Sequence, residues 1–305
     1  MALSLIESAK IALGRDEALL ATIMELYARS SDMLQFLPFE NITGNALKFD
    51  REKTLPTAGF RGVNEAYTEG TGTVEKVVES LAIAGGDLDV DVFLVKTGGV
   101  DQRGVQEGMK VKALSLATTK TLIKGSVLTD PKEFDGLQVR CLGDQLVAAA
   151  GTVTLSVLDE LIDSVEDPTH LVMNKTMRRR LTQAARTTTV GGYITYSVDA
   201  FGRQVTRYND LPILIAYKDN TNTEILPFTE ACAAGAATGS SIYCLSFDDN
   251  GVVGLQNGDM DVRDMGELET KPVYRTRVEW YITLAIMRER AASRLNSCRD
   301  FVIAA

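Results

Sequence analysis

The sequence predicts an α+β fold, and three stretches carry that prediction. Residues 102–123 read as one long isolated helix, residues 274–286 alternate as an unusually long strand, and the region between them mixes short strands and helices before turning β-rich. A chain of 305 residues slightly exceeds what one hydrophobic core usually serves, so two substantial lobes with appendages are expected. The 45% apolar and 24% charged composition belongs to a folded, water-compatible chain. No apolar run approaches the roughly 18 residues of a membrane span. Forty-one acidic against 32 basic side chains give a net charge of −9, which disfavours gripping nucleic acid through its phosphates. Residues 1–12 have neither a charged leader nor a small-residue cleavage site, so nothing there argues for secretion.

In chain order, Asp16, Glu17, Leu19, Leu20, Ile23, Leu26 and Tyr27 have the spacing of an amphipathic helix. The arm then ends in Phe36, Leu37, Pro38 and Phe39, an apolar non-helical patch of the kind that docks on a partner or on its own core. Between residues 41 and 73, Gly44, Gly59, Gly62, Gly70 and Gly72 punctuate a polar stretch holding Leu47, Phe49, Phe60, Val63 and Tyr67. Those apolar residues are too few for a core, and a projecting hairpin or long loop fits them best. Leu88, Val90, Val92 and Leu94 then alternate with Asp87, Asp89 and Asp91, which predicts a strand with one acidic face. Such a row has the chemistry of a hard-cation site, but alternating carboxylates more commonly mark a solvated sheet face.

The long helix would be a rod of roughly 33 Å. Val105, Met109, Ala113, Leu116, Ala117 and Ile123 form its wider stripe, and Val111, Leu114 and Leu122 a narrower ridge, so both sides want partners. Asp101 is a candidate N-cap, Lys120 and Lys124 suit the C-terminal dipole, and Gly125 is the stop. Gly104 and Gly108 in the interior predict another backbone passing close by. A turn on Pro131 and Gly136 follows, and a second lobe begins near Gln145. Val157, Leu158, Leu161, Ile162 and Val165 give a helix; residues 170–173 read as a strand; Asn174 caps a helix carrying Met177 and Leu181. Residues 193–196, 213–217 and 242–247 read as further strands between polar turns. In the long strand, Tyr274, Val278, Trp280, Ile282, Leu284 and Ile286 share one face, while Arg275, Arg277, Glu279, Tyr281 and Thr283 share the other. Leu116, Val278, Trp280 and Ile282 are taken as structural core.

No catalytic constellation emerges. The single histidine, His170, opens an apolar strand without triad spacing around it, which favours a structural role. The nucleophile-elbow, phosphate-loop and dinucleotide fingerprints are missing from the sequence. Cys141, Cys232, Cys244 and Cys298 are too scattered for zinc or redox motifs and are expected as reduced, partly buried thiols. Arg178, Arg179 and Arg180 point in three directions on a helix, which suits carboxylates or solvent better than one phosphate. The prediction is of no enzyme, no cofactor and no metal, and of a chain whose arm, loop, rod and long strand are devices for touching neighbours.

Four stretches in order and at matching spacing, over residues 41–295, resemble the major capsid protein of tailed bacteriophages, the Hong Kong 97 type fold that encapsulin shells share. They are ITGNALKFDREKTLPTAGFRGVNEAYTEG; the rod running into TDPKEFDGLQVRC; PTHLVMNKTMRRRL followed by FGRQVTRYNDLPILIAY; and SIYCLSFDDNGVVGLQNGDMDVRDMGEL running into PVYRTRVEWYITLAIMRERAASRL. The resemblance implies an N-terminal arm at residues 1–40 and an extended β-hairpin loop at 41–75 lying over an adjacent subunit. It implies a peripheral domain from residues 76–144 and 266–305, with a spine helix at 100–125 beside a long β-sheet, and a mixed α/β axial domain at 145–265.

On that resemblance the chain would self-assemble into pentamers and hexamers of an icosahedral virion capsid, with many modest contacts summing to a stable shell. The implied partners are a portal, a decoration protein and packaged double-stranded DNA held without tight sequence-specific binding, with no membrane. The arm is shorter than the scaffolding segment of some relatives, which implies a separate scaffolding protein and procapsid maturation in the host bacterial cytoplasm. Lys48 and Lys53 lie in the loop that carries a crosslinking lysine in certain relatives, but no motif identifies their partners. Expected assembly contacts are Phe36, Phe39, Leu47, Phe49, Phe60, Tyr67, Val111, Leu114 and Leu122. The alternatives are an encapsulin-type compartment and, more remotely, a cytosolic α/β enzyme with the acidic strand at Asp89 as its site.

Overall fold

The computed structural model describes residues 4, 5, 26, 30–97, 102–149, 152–186, 194–198, 204–232 and 238–303. The expected helix at residues 16–27 lies outside them except for Leu26, as do the N-cap expected at Asp101 and the strand start at Tyr193. The first element described over its whole length is helix α1 (Asp32–Phe36); strand β1 (Phe39–Asn41) follows, then a two-stranded ribbon of β2 (Ala46–Thr54) and β3 (Thr73–Ser80). Next come β4 (Ala82–Asp91), α2 (Val92–Thr97), the long helix α3 (Gln102–Lys124) and α4 (Leu137–Arg140). The rest is β5 (Leu146–Ala148), α5 (Leu155–Asp163), β6 (His170–Asn174), α6 (Lys175–Ala185), β7 (Ile194–Val198), β8 (Gln204–Tyr208), β9 (Leu211–Ala216), β10 (Glu230–Ala231), β11 (Thr238–Leu245), β12 (Val252–Gln256), β13 (Asp261–Glu267), β14 (Val273–Ile286) and β15 (Ala292–Cys298). The acidic strand stops at Asp91, where Asp91 accepts the Phe93 N–H and turns Val92 and Leu94 into helix α2.

Among the described residues the strands form two sheets beside the ribbon. The first runs β1-β12-β14-β13, with β4 on the other side of β14; the second runs β5-β15-β11-β6-β9-β8-β7, with β10 added to β11. β14 is the spine of the first sheet, pairing with β4 from Val273 to Ile282 and with β12 from Ile282 to Ile286. Its period of two is read directly by burial, since Val278, Trp280, Ile282 and Leu284 are buried on the inner face and Tyr281 is exposed on the outer. Thr283 on the outer face is nevertheless buried, because the ribbon root covers that end of the sheet.

The lobe boundaries differ from those expected. β15, expected with the long strand, lies inside the second sheet between β5 and β11, while β12, expected in the second lobe, lies inside the first sheet. One core runs beneath both: Trp280, Ile282 and Leu284 from the first sheet share a cluster with Val172, Leu214, Tyr243 and Leu245 from the second. A separate core lies on the far face of the second sheet, where α5 and α6 bring Leu158, Leu161, Met177 and Leu181. The Asn174 cap is in place, its side-chain oxygen accepting the Met177 N–H at 2.7 Å.

Helix α3 runs over the expected residues but is rotated relative to the reading of its faces. Val111 and Leu122 are 1% and 0% exposed, whereas on the wider stripe Val105 and Met109 are 50% and 62% exposed and only Ile123, in the last turn, is fully buried. Leu116, expected in the core, is half-buried, and Leu114 packs against the core from its rim. The reason is chemical: the buried face carries Ser115, Thr118 and Thr119, which an apolar count does not score. Thr118 and Thr119 donate to the carbonyls of Leu114 and Ser115 at 2.9 and 2.8 Å, so burying these hydroxyls leaves no donor unmet. A Cβ at Gly108 would meet nothing within 4 Å, so the close backbone expected there is not supplied by the described part of the subunit.

Candidate assembly surfaces

The ribbon is built by pairing Ala46 with Ser80 through Thr54 with Thr73, and a cross-strand ion pair from Arg51 to Glu75 at 2.7 Å sits in register on it. Burial is sparse. Leu47 and Phe49 are half-buried at the root, against Ile42, Val253, Leu255 and Ala285, and the charged side chains between them face water. Beyond Thr54 the tip has no regular structure, and Leu55, Phe60, Val63 and Tyr67 are fully or largely exposed. Local contacts shape it: Gly62 donates to Glu65 Oε2 at 2.9 Å, and the Arg61 guanidinium lies 5.0 Å from the centroid of the Tyr67 ring. Lys48 and Lys53 are both exposed on β2.

The expected arm contacts are placed differently. Phe39 is 3% exposed and its ring stands 5.0 Å from that of Trp280, over Gly254, where any Cβ would strike it. β1 pairs in parallel with β12, and the Ser31 and Thr119 hydroxyls are hydrogen-bonded to each other at 2.7 Å. Phe36 packs on His170 at 4.9 Å, and Phe247 packs on the other side of that imidazole at 4.9 Å. Residues 31–41 are thus part of the subunit core, and Phe36 and Phe39, like Val111 and Leu122, meet their own chain. Within the described residues this leaves Phe60 and Tyr67 free for a neighbour, and Leu47 and Phe49 half-committed to the root.

Burial between two aromatic rings, helped by the Arg207 charge, lowers the His170 pKa from its ordinary value to about 4, so the ring is neutral near pH 7. It is a structural histidine. The acidic row is paired rather than open: Arg275 reaches Asp89 at 2.6 Å and Arg277 reaches Asp87 at 2.7 Å across the β4–β14 register. The hydrogen bonds from these guanidinium groups hold both carboxyls below the usual range despite some desolvation. Among the described residues no cluster of three or more His, Cys, Asp or Glu has metal-binding geometry. Arg180 pairs with Asp300 at 2.7 Å, and all four cysteines are buried and free, with burial pushing Cys141 and Cys244 up to about 12. No described helix is long and apolar enough to cross a membrane.

Two features escaped the sequence reading. One is the exposed apolar surface of Val105, Met109, Phe93 and Leu94 on α2 and α3. The other is a buried ion pair between Glu79 of the ribbon and Arg140 of α4. For the first, the only signal was the interruption of the rod's apolar pattern by Ser and Thr; for the second, 61 residues separate the partners and no local pattern joins them.

This arrangement has known counterparts in three dimensions. An encapsulin complex from Synechococcus elongatus PCC 7942 superposes with a TM-score of 0.65 at 17% identity, covering 90% of this chain and 89% of that one. The capsid of a native GTA particle gives 0.63 at 16% identity, with coverage of 90% and 91%. A protein of Mycobacterium phage Cain gives 0.62 at 12% identity, with coverage of 88% and 90%. The chain therefore has the Hong Kong 97 type fold found in capsid and encapsulin shells. No protein-family model matches the sequence, and no curated protein matches it.

Proposed function

We propose that the chain is a major capsid subunit that self-assembles into the pentamers and hexamers of an icosahedral phage head enclosing double-stranded DNA. The observation that carries this is the ribbon. A body with the Hong Kong 97 type fold projects a two-stranded arm whose tip exposes Leu55, Phe60, Val63 and Tyr67 with no partner surface in the described part of the subunit. Such a tip gains by covering itself on another copy, and repeated modest contacts close a shell. In that reading the first sheet with α3 is the peripheral domain, the second sheet with α5 and α6 is the axial domain, and the ribbon is the extended loop. A separate scaffolding protein, a portal and a decoration protein are the expected partners, and assembly belongs in the host bacterial cytoplasm. The net charge of −9 suits a wall that encloses DNA without gripping it.

An encapsulin-type compartment is the second reading, favoured by the likeness to the encapsulin complex from Synechococcus elongatus. Electron microscopy of the protein, expressed with and without its neighbouring gene products, tests both. Uniform spherical particles are expected; particles holding protein and no DNA select the encapsulin reading, and a persistent monomer or dimer under every condition overturns both.

A further inference from the structure

The ribbon leaves the body through a narrow root. β3 passes after a single residue, Leu81, into β4, so ribbon and first sheet are nearly one continuous strand. On the other side the chain turns at Gly44, whose φ of +103° lies in the region that favours glycine. Leu81 donates to the Asn45 carbonyl at 2.8 Å, and Asn257 Nδ2 donates to the Gly44 carbonyl at 2.8 Å. Above this crossing the strands are tied to each other and barely to the body.

Open clefts flank the ribbon. One of about 940 Å³ runs along β2 opposite Met287 and Arg288. Another of about 510 Å³ lies between Val78, Ile83, Val127 and Phe134, and a third of about 350 Å³ lies between Val77, Leu142 and Ala292. The ribbon thus has room to swing. The apolar contacts of Leu47, Phe49 and Leu81 at the root resist separation but are non-directional, so they tolerate rotation.

Among the described residues, a directional contact ties the ribbon to the body beyond that crossing. Glu79, buried near the end of β3, forms a two-pronged ion pair with Arg140: Nη1 meets Oε1, and Nη2 meets Oε2 at 2.7 Å. The side chains are 10% and 17% exposed, so solvent does little to loosen the pair. Arg140 is itself held from behind, its Nε donating to the Asp135 carbonyl at 2.7 Å, while Asp135 Oδ1 accepts the Val127 N–H at 2.9 Å just past the end of α3. The chain of bonds runs from the ribbon to the C-terminal end of the long helix.

We propose that the Glu79–Arg140 pair is a latch that fixes the angle at which the ribbon leaves the body, one of at least two angles the root allows. The latch stands on the geometry of a single subunit and is independent of the shell reading; only its consequence, the choice of which neighbour the tip reaches, rests on it. The lever is long. Nine residues of strand span about 30 Å, so a rotation of about 20° at the root moves the tip by about 10 Å.

The test is a distance distribution by double electron–electron resonance on full-length protein, with Ala58→Cys at the tip and Lys112→Cys on α3 labelled, diluted into unlabelled protein. All four native cysteines are buried. The expected result is a single narrow distance with the native pair, a distribution broadened or shifted by about 10 Å in Glu79→Gln, and an intermediate width in Arg140→Lys, which keeps charge but loses the fork. Native width in both variants, with an unchanged thermal melt, overturns the latch. So does loss of a cooperative melt in Glu79→Gln, since the pair would then hold the fold and not the ribbon. Altered ribbon distances with no particles under any condition would leave the latch standing and sink the shell reading alone.

Discussion

Residues 31–41 and residues 46–80 are neighbours in sequence, both carry exposed-looking aromatics, and they end in opposite situations. The first is stitched into the subunit by an aromatic pair, a parallel strand and a buried hydroxyl contact, through Phe39, β1 and Ser31. The second stands away from the body and keeps Phe60 and Tyr67 in water. What separates them is apolar density and a place to go. Met33, Leu34, Leu37 and Phe39 fall close enough together to fill one seam between both sheets and α3, and Gly254 leaves the space for the Phe39 ring. On β2 the face that carries Leu47 and Phe49 continues with Arg51 and Lys53, so laying the whole ribbon down on the body would bury those charges. With so short an apolar stretch on that face, the ribbon gains little by folding down and projects instead.

Four measurements would break or sharpen this contrast. The largest effect is expected from Trp280→Asp and Phe39→Ala: the first buries an unpaired charge, the second removes an aromatic from a packed seam, and each should lower stability by about 3–5 kcal/mol in chemical denaturation. A Phe39→Ala protein as stable as the parent would mean that the arm segment is not core. Acid should act next, through the His170 stack that holds Phe36. Its folded pKa lies below the unfolded value, so the stability it permits is complete above about pH 6.5 and is lost as pH falls towards about 4, roughly 3 kcal/mol in all. His170→Phe should flatten the stability profile across that window relative to the parent; an unchanged slope would remove His170 from the account.

Asn174→Ala comes third. It deletes the cap of α6 together with bonds to the Leu226 carbonyl and Ser240 hydroxyl, and about 1–2 kcal/mol in the melt is expected. Smallest for the subunit is Phe60→Ser, within about 0.5 kcal/mol of the parent, because the ring touches little of its own chain. That same change should cut particle yield severely. If folding and particle yield fall together for Phe60→Ser, the division between core and projection is wrong.

Much of the fold was legible because its signals are local. The bounds of α3, the long strand β14, the Asn174 cap and the projecting stretch after Asn41 each follow from a period, a capping residue or glycine spacing within one segment. The candidate surfaces were less so. Phe36, Phe39, Val111 and Leu122 looked available because an apolar residue in a sequence carries no mark of whether its partner lies in the same chain. The buried face of α3 is turned from the apolar stripe because Thr118 and Thr119 bury their hydroxyls on carbonyls of the same helix, and Thr119 also meets Ser31, an option a hydrophobicity count scores as solvent.

By itself, then, the sequence determined which segments are helix, strand and projection, since those depend on side-chain periodicity and backbone preference over a few residues. Only the tertiary structure decided that β15 crosses into the second sheet, that residues 31–41 close the core between the sheets, and that Glu79 meets Arg140 across 61 residues. Those choices turn on which buried surface and which buried charge find a complementary partner at long range, and complementarity is a property of pairs that no single segment displays.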